Sequence, residues 1–227
     1  MPEIPNGMEP GQQPDGGDAS NLFYMAETVN AFSGVADETG SPVDMGTSTA
    51  LKQEVPAFTD VDSGAYYHTS VLWAVEKEIT TGTSSTTFSP DETCTRAQII
   101  TFLWRAAGSP EPQSSENPFD DVSSTDYYCK AALWAYEKGM VSGTSFGASA
   151  DCTRASTVQY IWQAAGSPAV TAGTVFSDVA SGAEYAQAVA WAVEQGVTTG
   201  TSSTTFSPDE TCTRGQIVTF LYRAFAK

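Results

Sequence analysis

Three Thr-Arg pairs carry the most pointed chemistry in this chain: Thr95-Arg96, Thr153-Arg154 and Thr213-Arg214, each preceded by a cysteine (Cys94, Cys152, Cys212). A guanidinium is a planar fork of donors that matches a carboxylate or a phosphate. The chain has only 10 basic residues against 27 acidic ones, so three arginines at one recurring position is a marked concentration of cation. The neighbours explain the threonines. Thr95-Arg96-Ala97-Gln98 and Thr213-Arg214-Gly215-Gln216 have the spacing of a capping box, with Thr at the N-cap and Gln at N3 of a helix. Such a cap contributes about 1 kcal/mol. It leaves the arginine unexplained, because a cation in the first turn opposes the helix dipole at a cost of about 0.3–1 kcal/mol. An anion is expected there. One source is internal: Asp60, Asp121 or Asp178, or Glu76, Glu137 or Glu194. The other is external, a ligand held by the guanidinium together with free N–H groups of the helix start. The two can coexist, and the sequence leaves both open.

The middle copy departs. Thr153-Arg154-Ala155-Ser156 lacks the Gln, Gln163 stands where the outer copies have Arg105 and Arg223, and Trp134 to Arg154 spans 20 residues where Trp73 to Arg96 spans 23. The shortening removes the Phe-Ser-Pro turn seen at 88–90 and 206–208, so a weaker or missing site is expected in this copy. Trp73, Trp134 and Trp191 lie beside alanines in mid-helix. They read as core residues or as the lining of a sugar-binding groove, where an indole N–H finds a partner.

The elements that must position these residues form an internal repeat. Residues 80–96 recur letter for letter at 198–214, with a degenerate copy at 142–154. Phe58-Thr-Asp60-Val61, Phe119-Asp-Asp121-Val122 and Phe176-Ser-Asp178-Val179 open the three units, which follow one another at 57–61 residues. A fixed period of this kind marks one supersecondary unit stacked several times. A lone unit buries too little surface to be stable, so three units sharing one core are expected. Apolar periodicity predicts a first helix at about 66–77, 127–138 and 184–195 after an extended lead-in, and a second opening at Thr95, Thr153 and Thr213. Gly139 and Gly196 stand at a C-cap needing positive φ, where the first copy has Glu78. The expected organisation is a flexible segment at 1–55, with a short amphipathic helix at 20–32, and repeats at 56–112, 117–168 and 174–227. The fold class is mainly α.

Bulk properties narrow the function. The formal net charge of −17 argues against nucleic acid and anionic membrane as partners. No apolar stretch is long enough to span a bilayer, and the first residues lack the basic and apolar regions of a signal peptide. No cofactor is expected. Cys94, Cys152 and Cys212 share one slot and are read as small buried apolar residues set around an axis, not beside one another. Cys129 breaks the pattern, so a Cys129–Cys152 disulfide is the alternative. No zinc-type cluster is present.

The same residues resemble the S-layer homology domain. In the first copy the resemblance rests on Tyr67, Trp73, Glu76, Gly82, Phe88, Pro90, Thr95, Arg96, Ala97, Gln98, Leu103, Arg105, Ala106 and Gly108. The third copy is nearly as similar and the second partly so. The resemblance implies a pseudo-threefold assembly of three helix–loop–helix repeats around a central helical bundle. It implies non-covalent attachment to a secondary cell-wall polysaccharide linked to peptidoglycan, often one ending in a pyruvylated sugar, at the bacterial cell surface. It carries the ligand-contacting motif onto Thr95-Arg96, Thr153-Arg154 and Thr213-Arg214, in grooves between repeats. The loop residues Gly82, Ser84, Gly143, Ser145, Gly200 and Ser202 are expected to add hydrogen bonds there. A module of this family is expected to be fused to, or associated with, another surface protein. Gln98, Ser156 and Gln216 replace the family's usual Glu, so polymer specificity does not carry over.

Three other classes were weighed. A catalytic chain is disfavoured by the single histidine, His68, and by the lack of a distinctive carboxylate pair. A calcium module would need the Asp60-Val-Asp62 pattern in every copy, and the other copies lack the second Asp. A scaffold for protein–protein contact, with all its arginines paired internally, keeps the fold and changes the role.

Overall fold

The computed structural model describes residues 58–171, 173 and 175–226; the expected segment at 1–55 and its short helix lie outside the described residues. The described residues contain six helices: α1 (His68–Glu76), α2 (Arg96–Ala106), α3 (Cys129–Glu137), α4 (Arg154–Ala164), α5 (Ala186–Glu194) and α6 (Arg214–Phe225). They contain no strand, only isolated bridges at Thr93–Thr213, Thr95–Asp151 and Thr153–Thr211. The lead-in expected to be extended is a tight turn, in which Val61 N–H donates to the Phe58 carbonyl and Val179 N–H to that of Phe176, both at 3.3 Å.

The two helix types are stabilised differently. α1, α3 and α5 have 9 residues and no side-chain cap, too short to persist alone. They are held by burial of small apolar residues: Val71 and Ala74; Ala131, Ala132 and Ala135; Ala188, Val189 and Ala192. α2 and α6 carry the full capping box on Thr95–Gln98 and Thr213–Gln216. In α4 the Thr153 side chain still accepts from Ser156 N–H, and the Ser156 hydroxyl turns back to the Thr153 carbonyl.

Packing crosses from copy to copy. α3 packs on α2, α5 on α4, and α1 on α6, so the last helix of the chain takes the first. α2, α4 and α6 also touch one another pairwise and form the centre. Cysteine backbones close this ring. Cys94 N–H donates to the Cys212 carbonyl (3.2 Å), Cys152 to Cys94 (3.0 Å) and Cys212 to Cys152 (2.9 Å). The three cysteines expected to stand apart are therefore adjacent, because the strand-like residues before each central helix meet at the centre. All four cysteines are free thiols, so Cys129 and Cys152 are not bridged. Burial pushes the Cys94 and Cys152 thiols up to about 12.

Candidate functional site

Each Thr-Arg arginine starts a central helix but reaches into the loop of the next copy. Arg214 Nε donates to the Phe88 carbonyl at 2.9 Å and Arg154 Nε to the Phe206 carbonyl at 2.8 Å. Arg96 donates through Nη1 to the Phe146 carbonyl. The guanidinium carbons of Arg154 and Arg214 also lie 4.9 Å from the centroids of the Phe206 and Phe88 rings and 5.5 Å from those of Phe220 and Phe102. Arg154 and Arg214 are only 4% and 3% exposed. Desolvation draws the Arg214 pKa down from its usual value.

The internal carboxylates expected as partners do not pair with them directly. The ion pairs among the described residues are Lys77–Glu76 and Lys130–Glu111, and neither involves an arginine. Asp60 instead accepts from Phe88 N–H (2.8 Å) and Ser89 N–H (2.7 Å), and Asp178 from Phe206 N–H (2.9 Å) and Ser207 N–H (2.8 Å). Asp121 accepts from Phe146 N–H (2.7 Å) and Gly147 N–H (2.8 Å), and these bonds, Gly147 first, lower its pKa to about 2. Glu137 and Glu194 hold the linkers that follow the central helices, through Ser114 N–H and Thr171. Acid and arginine therefore meet at opposite poles of one peptide unit. Such a chain polarises its members cooperatively, yet leaves other guanidinium donors uncommitted: Arg214 Nη2 is buried with no partner.

The helix-start amides are not free, contrary to expectation. Arg96, Arg154 and Arg214 N–H donate to the carbonyls of Ala150, Glu210 and Glu92 at 2.8–2.9 Å, and the next amide along bonds to Ala148, Pro208 or Pro90. The third amide is taken by the threonine cap. Helix dipole donors are thus spent on ring closure, and only side chains remain for a ligand. The middle copy keeps the turn it was expected to lose: Phe146 is fully buried like Phe88 and Phe206, and Gly147 takes the positive φ that Ser89 and Ser207 adopt. Its deletion falls in the exposed Ser/Thr hairpin instead.

A groove of about 220 Å³ opens where the three copies meet, lined by Tyr66, Arg154, Thr198, Thr199, Gly200, Gln216, Thr219, Phe220 and Arg223. No carboxylate lines it. Of the residues singled out from sequence it brings together Arg154, Gly200 and Gln216. Tyr66, Thr198, Thr199, Thr219, Phe220 and Arg223 were missed. The conspicuous signal is the second arginine at Arg223, which stands at the position of Arg105 in the first copy. Tyr66 is 63% exposed and Tyr127, its counterpart, 64%, an exposure that packing and not sequence decides.

The remaining candidates lie elsewhere or serve the loops. Trp134 and Trp191 are buried in the core, and Trp73 packs edge-on against Tyr222 at 5.7 Å. Ser84 and Ser202 accept from the amides two and three residues on, and so shape their own hairpins. Ser145 donates to Asp121. Gly82 and Gly200 have φ near +86, and a Cβ there would come within 2.5 Å of the Phe58 and Phe176 rings. Gly143 shares the positive φ with open space around it.

Fold and groove define a class: a tandem-repeat helical module with a cationic cleft between copies. Residues 57–100, 118–157 and 175–218 each match the S-layer homology domain. Together they make up more than half of the chain, which belongs to that family. The chain is 35% identical over 106 residues to an endoglucanase of Bacillus sp. (strain KSM-635), covering 47% of this chain and 11% of that enzyme. It is 31% identical over 105 residues to endo-1,4-beta-xylanase A of Thermoanaerobacterium saccharolyticum, covering 46% and 8%. A cell surface protein of Thermoanaerobacter kivui is 32% identical over 94 residues, covering 40% and 12%. The chain thus spans about a tenth of the length of these relatives.

Proposed function

We propose that this chain is a cell-wall anchoring module that binds an anionic polysaccharide at the bacterial cell surface. The observation that carries the reading is the groove. Arg154 and Arg223 line it with hydroxyl, amide and aromatic groups and without a carboxylate, in a chain of net charge −17. Local cations decide there, because charges beyond about 8 Å are screened at physiological ionic strength. Its volume falls below the roughly 300–1,000 Å³ of a drug-sized pocket, which suits a single terminal sugar bearing a carboxylate, such as a pyruvate ketal. Arg154 supplies a fixed donor, Gln216 and the threonines bond to hydroxyls, and the Tyr66 ring stacks on a sugar face. The family and the surface location of one relative support the same role. The large enzymes that share this segment suggest that the module attaches another protein to the wall.

The test is retention of the whole chain on purified cell-wall sacculi, before and after chemical removal of the non-peptidoglycan polymer. Retention on native sacculi and its loss on stripped ones is the expected result. Equal retention on both, or none on either, overturns the reading.

A further inference from the structure

The arginines are wired across repeats, and this changes which copy can hold a ligand. The groove built on α6 takes its buried cation from Arg154 of the middle copy and its rim aromatic, Tyr66, from the first. By the same relation Arg214 and Tyr127 are the counterparts of Arg154 and Tyr66 beside α2. Arg214 stacks on Phe102 as Arg154 stacks on Phe220. Arg105 Nη1 donates to the Ile79 carbonyl as Arg223 Nη1 does to that of Val197. Tyr127 lies within the electrostatic reach of both Arg105 and Arg214. The Nη2 of Arg214 is buried and unpartnered.

The corresponding residues beside α4 differ at each position. Tyr160 stands for Phe102 and Phe220, and its phenol lies within the electrostatic reach of Arg96. Arg96 thus faces a phenol where Arg154 and Arg214 face a phenylalanine ring. Gln163 replaces the second arginine, Val141 replaces Thr80 and Thr198, and the exposed Glu184 replaces the rim tyrosine. The second cation is replaced by an amide, and an acid stands at the rim.

Resting on the anchoring reading above, we infer that the chain is a bivalent clamp. The grooves on α6 and α2, served by Arg154 with Arg223 and by Arg214 with Arg105, each hold one carboxylate-bearing sugar, and the groove on α4 with Arg96 holds none. The degenerate Thr-Arg copy therefore donates its arginine to an intact groove, and the well-formed first copy donates Arg96 to the closed one. Two sites on one rigid body engage a repetitive polymer together, and the second engagement multiplies retention by about 10²–10⁴.

The experiment compares retention of the full chain on native sacculi. Arg223→Gln and Arg105→Gln, each alone, are expected to lower apparent affinity by about 10²-fold, and the pair to abolish retention. Tyr66→Ser and Tyr127→Ser act on exposed rings and repeat the comparison without touching the core. Glu184→Ala, which removes an exposed acid, leaves retention unchanged. Arg154→Gln and Arg214→Gln each behave as the loss of one groove if they fold. The tyrosine variants decide the matter if they do not. If the wild type is retained but Glu184→Ala weakens it as much as Tyr66→Ser, the groove assignment fails while anchoring stands. If a single groove variant abolishes retention, or the double variant does not, bivalency fails. If the wild type is not retained, the anchoring reading fails and this one with it.

Discussion

Arg154 and Asp178 grip the two poles of one peptide unit: the guanidinium donates to the Phe206 carbonyl at 2.8 Å, and the carboxylate accepts from Ser207 N–H at 2.8 Å. Arg214 with Asp60, and Arg96 with Asp121, do the same at Phe88–Ser89 and Phe146–Gly147. Each grip joins two copies, since the Arg and the Asp belong to neighbours. The phenylalanine between them is fully buried in all three copies.

Removing that ring should therefore unlock two copies at once. Phe206→Ala and Phe88→Ala are each expected to cost about 3–5 kcal/mol of stability, by denaturant unfolding. Arg154→Lys keeps the charge but cannot reproduce the Nε–H bond or the planar stack on Phe206. It is expected to lower the thermal midpoint measurably, where a purely electrostatic role predicts no change.

The carboxylates set the acid limit. Backbone N–H groups, Gly147 for Asp121 and Phe206 for Asp178, hold both pKa values below the usual range, to about 2 for Asp121. The folded state then binds fewer protons than the unfolded one below the ordinary carboxylate pKa. The stabilisation from Asp121 is present above pH 3.8 and is lost as pH falls through about 2, and that from Asp178 is lost in the same direction. A thermal midpoint followed against pH should drop across that window, and Asp121→Asn should start lower at neutral pH and fall less steeply on acidification.

The thiols set an alkaline trend of opposite sign. Desolvation raises Cys94 and Cys152 from 9.0 to about 12. Unfolded thiols ionise first, so their contribution is present below about pH 9 and fades towards pH 12. With a thiol reagent at neutral pH, half-buried Cys129 is expected to react well before the other three, which should react only on global unfolding. Equal rates for all four would contradict the cysteine ring.

Glu78 adopts φ +57 at the position where Gly139 and Gly196 adopt +68 and +69. A left-handed conformation in a non-glycine residue costs about 1–3 kcal/mol. Glu78→Gly should recover about 1 kcal/mol net of glycine's greater chain entropy, and raise the thermal midpoint by about 2–4 °C. An unchanged or lower midpoint would show that the Glu78 side chain contributes more than its backbone costs.

Much of the fold could be read locally. Thr95, Gln98, Thr213 and Gln216 announce their helices because capping depends on residues three apart. The glycines after α3 and α5 announce their ends because only one residue lacks a Cβ. The turns at Phe58 and Phe176 were taken for extended chain because a few residues carry no period to distinguish them. The tyrosines of the groove escaped notice because Tyr66 and Tyr67 look alike in sequence, and only packing decides that the first faces solvent.

By itself the sequence determined three copies of a helix–loop–helix unit, their caps, and an arginine recurring at the start of each second helix. Each of these follows from contacts or periodicities within one copy. The tertiary structure alone decided which copy's arginine serves which groove, that the helix-start amides are consumed in joining copies, and that three cysteines meet at the centre. Those facts arise from a ring closed between α1 and α6, some 126 residues apart at Arg214 and Phe88. No local pattern of side chains encodes the direction in which such a ring hands its residues on.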